Sequence, residues 1–327
     1  MTRDEILELL RSCQPACVLA AAAELDVFSA LRARPESAPE LAASRGFHLR
    51  GTRILLDALA ALGFLEKAGD VYSVPEDVAA LLGSFGPGSV LAMVRHQANC
   101  LRRWAQLARV VATGRPAERV PSIRGEAADL EAFIEGMHEI SAPVAGEIVA
   151  ELRGIPFRTL LDVGAASGTW TIAFLRMAPN ARAILFDLPE VIPMARERLG
   201  REGLLERAEF AGGDYLRDPL PPGADLAWLS AIAHQNSREE NRRLFLNTFR
   251  ALERGGAVAV RDVVMDPSRT SPAAGALFAV NMLAGTEGGG TYTFDEIRED
   301  LEASGFEDVR LLRRDPGMHS IVTAKKP

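Results

Sequence analysis

The sequence predicts an α/β protein: a mostly parallel, seven-stranded sheet in the back half, preceded by a smaller α-helical domain of winged-helix pattern. Three observations carry that expectation. From Thr159 onward, short apolar runs alternate with helical runs, as strands joined by crossover helices do. A small-residue turn, Gly164-Ala165-Ala166-Ser167-Gly168, follows the first strand, and Asp187 closes the second. Upstream, two helices and a hairpin succeed one another between Ser37 and Val74.

The front elements follow from local chemistry. Ser37-Ala38-Pro39-Glu40 is a capping box opening a short helix to Ser44, which Gly46 ends. A second helix runs over Leu49–Leu62 with Ile54, Leu55, Ala58, Leu59 and Leu62 on one face, and Gly63 stops it. Phe64–Lys67 and Val71–Val74 flank the turn Ala68-Gly69-Asp70 as a hairpin. A groove-reading helix needs several exposed basic and amide side chains. This one offers Arg50 and Arg53, then Asp57, among Leu and Ala. Residues 1–92 therefore read as a dimerisation module, because an Ala/Leu-rich surface too large for its own small core calls for a partner subunit. Met1–Leu10 reads as an amphipathic helix ahead of it.

The remainder, 93–327, reads as bridging helices over 93–153 followed by an α/β core over 154–327. Leu91–Thr113 and Leu130–Leu152 are the helical runs. The core strands are Thr159–Val163, Ala183–Phe186, Ala208–Ala211, Leu226–Leu229 and Ala257–Val263, with Glu307–Arg313 and His319–Ala324 closing. Ser237 and Thr293 each stand three residues before a Glu and cap helices.

Composition bounds the rest. The 327 residues suggest two domains, and 48% hydrophobic content suffices for real cores. Lys plus Arg number 37 against 44 Asp plus Glu, a net −7 that disfavours nucleic acid. Cys13, Cys17 and Cys100 cannot make a paired framework and read as cytosolic thiols. The five histidines are scattered, so no metal is expected. Lysine occurs only at Lys67, Lys325 and Lys326, which argues against a Schiff base. The apolar stretch Ala16–Ala23 is far short of the roughly twenty residues of a membrane span. No signal peptide is read at the start. Cytoplasmic location without a membrane partner is the expectation.

In such a sheet, ligands lie at the carboxyl ends of the strands. Asp187 falls 25 residues after Asp162, where a carboxylate takes ribose hydroxyls. Asp214 and Tyr215, after the third strand, would meet an adenine amino group and ring. The absence of G-K-[ST] excludes a P-loop.

Asp162–Gly168, Phe186-Asp187-Leu188-Pro189-Glu190-Val191-Ile192, Gly213-Asp214-Tyr215, His234 and Leu252-Glu253-Arg254-Gly255-Gly256 together resemble the successive motifs of the S-adenosylmethionine-dependent small-molecule O-methyltransferases of caffeate and hydroxyindole type. The resemblance covers nearly the whole chain. It implies a Rossmann-like class I methyltransferase sheet, a winged-helix dimerisation domain and a homodimer. It implies cofactor contacts from Asp162, Gly164, Gly168, Asp187, Leu188, Asp214, Tyr215 and Ser230, the last standing where the family usually has lysine. Phe133, Met137 and Met282 match acceptor-pocket positions. His234 matches the general base and Asp262 a carboxylate orienting it.

The chain departs from the family at two places. Gln235-Asn236 replaces Asp-Trp, and Thr291 stands where a second carboxylate is common. Three readings follow: an acceptor acidic enough to need little help, another reaction on the same fold (C- or N-methylation, or assisted decarboxylation or rearrangement), or substrate contact taken over by Tyr292. Gly288-Gly289-Gly290 suggests a mobile lid. A non-catalytic winged-helix regulator is the rival from another class.

Overall fold

The computed structural model describes residues 1–83 and 88–327. They form two compact units, Met1–Arg102 with Arg119–Ile140, and Arg103–Glu118 with Ser141–Pro327.

In the first unit, helices Arg3–Arg11, Cys13–Glu24, Val27–Ala33, Ala38–Arg45, Leu49–Ala61 and Glu76–Leu82 accompany a small antiparallel sheet. In that sheet Val71–Ser73 lies between Glu66–Ala68 and Glu36–Ser37. The capping box at Ser37 forms as read. The Leu49–Ala61 helix buries Leu59 of the expected face together with Thr52 and Leu56, while Ile54 and Leu62 of that face stay exposed. Leu56 and Leu59 join Phe28, Leu31, Leu41 and Tyr72 in one core, which takes that side of the helix. Asp57 accepts from Lys67 Nζ at 2.6 Å and from Tyr72 Oη at 2.7 Å, tying the helix to the hairpin.

The expected Leu91–Thr113 helix is two helices, Leu91–Trp104 and Leu107–Thr113. The Gln106 side chain explains the break. It donates to the Glu118 carbonyl at 3.0 Å and accepts from the Glu118 amide at 2.9 Å, fixing a turn there.

The second unit is built on seven strands: β1 (Thr159–Val163), β2 (Arg182–Asp187), β3 (Ala208–Gly212), β4 (Ala224–Ser230), β5 (Leu252–Asp262), β6 (Glu307–Arg313) and β7 (Ser320–Lys325). Their order is β6-β7-β5-β4-β1-β2-β3, with β7 antiparallel to its neighbours and the remaining pairs parallel. This is the predicted sheet.

Side chains along each strand alternate between two cores. Leu161, Val163, Ala227, Leu229, Val258 and Val260 enter one, beside Leu244, Phe245, Ile297 and Leu301. Leu160, Leu226, Trp228, Ala257 and Ala259 enter the other, beside Trp170, Ile172 and Phe174. The alternation decides which face each polar residue at the strands' carboxyl ends must use.

The turn after β1 needs left-handed backbone. Gly164 and Gly168 have φ of 72° and 75°, and a Cβ on Gly168 would lie 2.5 Å from Leu199 Cδ1. Ala166 also takes positive φ, at 49°, which a residue with a Cβ adopts at a cost of about 1 kcal/mol. Its amide is held by Asp187 Oδ2 at 2.7 Å. Ala166→Gly should therefore raise stability by about 0.5–1 kcal/mol, while Gly168→Ala lowers it by at least about 1 kcal/mol. Urea denaturation of the two variants checks both signs.

Candidate active site

The carboxyl ends of β1, β2, β4 and β5 bring the polar residues of this unit to one edge. At the end of β1, Asp162 is fully buried. Its Oδ2 accepts from Thr171 Oγ1 at 2.6 Å, and its Oδ1 has no partner among the described residues. Burial pushes this carboxyl up to about 7, with the Asp187 charge adding to the rise. An unmet, buried carboxylate oxygen is stable as an anion only if a cation arrives.

Asp187 ends β2. Its oxygens accept from the amides of Ala166 and Leu188, each at 2.7 Å. Burial nonetheless raises its pKa, against those two bonds. Each carboxylate oxygen can accept more than one hydrogen bond, so capacity for a diol's hydroxyls remains. A Cβ on Gly164 would lie 2.8 Å from Ile232 Cγ2, so glycine here lets the turn pack against the segment after β4. Leu188 is 43% exposed beside it.

Asp214 follows β3. Its Oδ1 caps the Leu216 amide at 2.9 Å, and its amide donates to Asp218 Oδ2 at 2.8 Å. The Tyr215 ring packs against the first core, and its hydroxyl donates to Asn236 Oδ1 at 3.3 Å. Burial pushes that phenol up to about 12.

His234 sits in a single 3₁₀ turn, Ala233–Gln235, after β4. Asp262, the last residue of β5, holds it twice. Asp262 Oδ1 lies 2.8 Å from His234 Nδ1, and Oδ2 accepts from the His234 amide at 3.1 Å. Both side chains are almost fully buried. A carboxylate can only accept, so in the neutral ring the Nδ1 proton faces Asp262 and Nε2 carries the lone pair. Phe278 meets the imidazole edge-to-face, with centroids 4.7 Å apart.

The loop that carries the glycine run packs onto this turn. Gly290 donates its amide to the His234 carbonyl at 2.9 Å, and Gly289 donates to Thr286 Oγ1 at 2.9 Å. A Cβ on Gly289 would lie 2.5 Å from the His234 carbonyl oxygen and 2.9 Å from that of Gln235. The run thus permits close packing here. Thr291 points its hydroxyl at the Gly275 carbonyl, 3.4 Å away. The Tyr292 hydroxyl donates to the Asn236 carbonyl, and burial pushes its pKa up to about 12.

Met282 is buried one helical turn beyond Phe278 in the Ala273–Gly285 helix. Phe133 and Met137 lie in the other unit, half-buried one turn apart, with the Phe133 ring 5.0 Å from that of His96. Ser230 accepts from Arg261 Nη1 at 3.1 Å.

Sequence reasoning missed Phe278, Asn236 and Arg261. Phe278 carried a signal, since it lies four residues before Met282 and shares its helix face. Asn236 is a buried junction that donates to Asn241 Oδ1 at 3.2 Å and meets both Tyr215 and Tyr292. A lone asparagine in sequence gives no hint of that. Among the described residues, no group of three or more His, Cys, Asp or Glu is placed to hold a metal.

An open, mostly parallel sheet with a glycine turn and two acids at one edge is the Rossmann-like class, which binds nucleotide cofactors at that edge. The comparisons make the class specific. The O-methyltransferase domain model matches residues 104–307, and the O-methyltransferase dimerisation domain model matches residues 7–82. The chain is 33% identical over 318 residues to 3-hydroxy-5-methyl-1-naphthoate 3-O-methyltransferase of Streptomyces sahachiroi, covering 94% of this chain and 91% of that one. It is 34% identical over 314 residues to the tetracenomycin polyketide synthesis 8-O-methyl transferase of Streptomyces glaucescens, covering 94% and 92%. Human N-acetylserotonin methyltransferase, solved in complex with S-adenosylmethionine, superposes with a TM-score of 0.82 at 25% identity, over 100% of this chain and 98% of that one. The chain belongs to the O-methyltransferase family. It is an S-adenosylmethionine-dependent methyltransferase.

The residues present fit that cofactor. Asp162 offers an unmet anionic oxygen for an ammonium group, and Asp187 retains acceptor capacity for ribose hydroxyls. Because a cationic ligand selects the ionised form of Asp162, cofactor affinity should depend on pH. Below about 7 the carboxyl must lose a proton for binding to occur, and above that value the requirement disappears. S-adenosylhomocysteine should therefore bind about tenfold more weakly at pH 6 than at pH 8. In Asp162→Asn the affinity is lower and this pH dependence is gone. Calorimetric titration at the two pH values checks it.

Proposed function

We propose that the protein methylates a hydroxyl of a small aromatic acceptor, with His234 as general base and Asp262 as its orienting carboxylate. The observation that carries this is the buried His234–Asp262 pair, with Nδ1 engaged at 2.8 Å and Nε2 left basic. Two relatives named above act on a hydroxynaphthoate and in tetracenomycin synthesis, which supports a fused aromatic acceptor.

Bound S-adenosylmethionine supplies a methyl group activated on a sulfonium. The chain's own residues do the rest. His234 Nε2 takes the acceptor's proton, and Asp262 stabilises the imidazolium that results. The Phe278 ring, perpendicular to the imidazole at 4.7 Å, bounds it on one side. Hydroxynaphthoates and phenols carry comparatively acidic hydroxyls, so one orienting carboxylate suffices where the family commonly uses two. Met282, buried on the same helix as Phe278, supplies an apolar acceptor contact. Tyr292, whose hydroxyl is engaged by Asn236, supports the loop around the base more directly than it supplies a free polar contact. Asp214, Tyr215 and Leu188 complete the adenine and ribose contacts.

The matched dimerisation model, the apolar exposure of Ile6, Leu9 and Leu10, and the stretch Arg3–Glu24 with little of its apolar surface buried support a homodimer made by residues 1–92. Residues 93–327 then form the catalytic part. Among the described residues Cys13, Cys17 and Cys100 form no disulfide, which suits a cytoplasmic enzyme.

The test uses labelled S-adenosylmethionine and a panel of hydroxynaphthoates, phenols and catechols. His234→Ala should lower kcat by about 10²–10⁴ with S-adenosylhomocysteine affinity within about twofold of wild type. Unchanged transfer by this variant removes the base from the proposal. Gly289→Ala should push the His234 carbonyl aside and lower kcat by at least about tenfold, again with cofactor affinity retained.

A further inference from the structure

Arg261 is the penultimate residue of β5 and only 2% exposed. It faces the second core with Ala257 and Ala259, while the next residue, Asp262, faces the first. Its guanidinium carbon sits 4.4 Å from the centroid of Trp170, the second residue of the helix that leaves the glycine turn. Among the described residues its side chain makes one hydrogen bond, to Ser230 Oγ, and Nε has no partner. The two carboxylates that favour its charge, Asp262 and Asp315, are engaged elsewhere. Asp262 holds His234, and Asp315 Oδ1 accepts from the amides of Gly317 and His319. Burial without an ion pair is costly for a guanidinium, and it lowers the pKa to about 10.

A second unmet group lies on the same face. Asp162 pairs in register with Trp228, two residues before Ser230, and Ser230 pairs with Arg261. Among the described residues, Asp162 Oδ1, Trp228 Nε1 and Arg261 Nε all lack partners, on three adjacent strands. One anion and one cation, each without an ion pair among the described residues, are the charges that the two ends of an amino acid call for.

We propose that Arg261, braced by Ser230 and Trp170, holds the carboxylate of the cofactor's methionine end while Asp162 takes its ammonium. The cation absent from position 230 is thus returned from the neighbouring strand. The Ser230–Arg261 pair works as a unit, with the small serine leaving the space that the guanidinium fills. This rests on S-adenosylmethionine being bound at this strand edge.

Two probes separate the parts: S-adenosylhomocysteine, and its decarboxylated analogue, which keeps the ammonium and lacks the carboxylate. Calorimetry compares them on wild type, Arg261→Met, Arg261→Lys and Ser230→Ala. Wild type should prefer the carboxylate-bearing ligand by about 10–100-fold, the worth of a charge-assisted contact. Arg261→Met should reduce that preference to under about threefold while binding the analogue as wild type does, which also shows the variant is folded. Arg261→Lys should keep part of the preference, and Ser230→Ala should lower it. Equal losses for both ligands in Arg261→Met, or an unchanged preference, overturn the assignment. If wild type binds neither ligand, cofactor binding at this edge fails as well, and the assignment falls with it.

Discussion

The site depends on one carboxylate. Asp262 ends β5, and the strand's two-residue period turns it toward the first core, where the 3₁₀ turn after β4 passes. There it accepts from both the backbone and the ring of His234. One residue thus holds both the backbone of the turn and the ring of His234. Charge-assisted bonds to a buried carboxylate are strong because no water competes for it. The same period sends Arg261 to the opposite face, so consecutive residues serve opposite sides of the sheet.

Around this pair, the loops are held by backbone contacts more than by side-chain charge. Gly290 bonds the His234 carbonyl, and Gly289 leaves room for that carbonyl. Asn236 links Tyr215, Tyr292 and Asn241, joining the loop after β3 to the segment after the glycine run. The departures from the family pattern are therefore structured ones. Asn236 is a junction, Thr291 bonds Gly275, and Ser230 receives Arg261.

The sheet was legible because alternating strands and helices leave a strong period, and the capping boxes at Ser37, Ser237 and Thr293 all form. The break at Gln106 was not legible, since it arises from an amide pair with Glu118 across a loop. The short parallel pairing of Val264–Met265 with Tyr292–Thr293 was also hidden, because two-residue strands have no period to detect. In the site, the acids at strand ends could be found from spacing. Arg261 could not be, because a basic residue inside an apolar strand reads as surface until the strand is placed in the sheet.

The most direct measurement is the nitrogen NMR spectrum of ¹⁵N-histidine-labelled enzyme, with His234 assigned by His234→Gln. At a pH where the ring is neutral, the proton is expected on Nδ1 with Nε2 bare, and this preference is lost in Asp262→Ala. A proton on Nε2 in the wild-type enzyme would contradict it, since the base would then have no free electron pair to offer the acceptor.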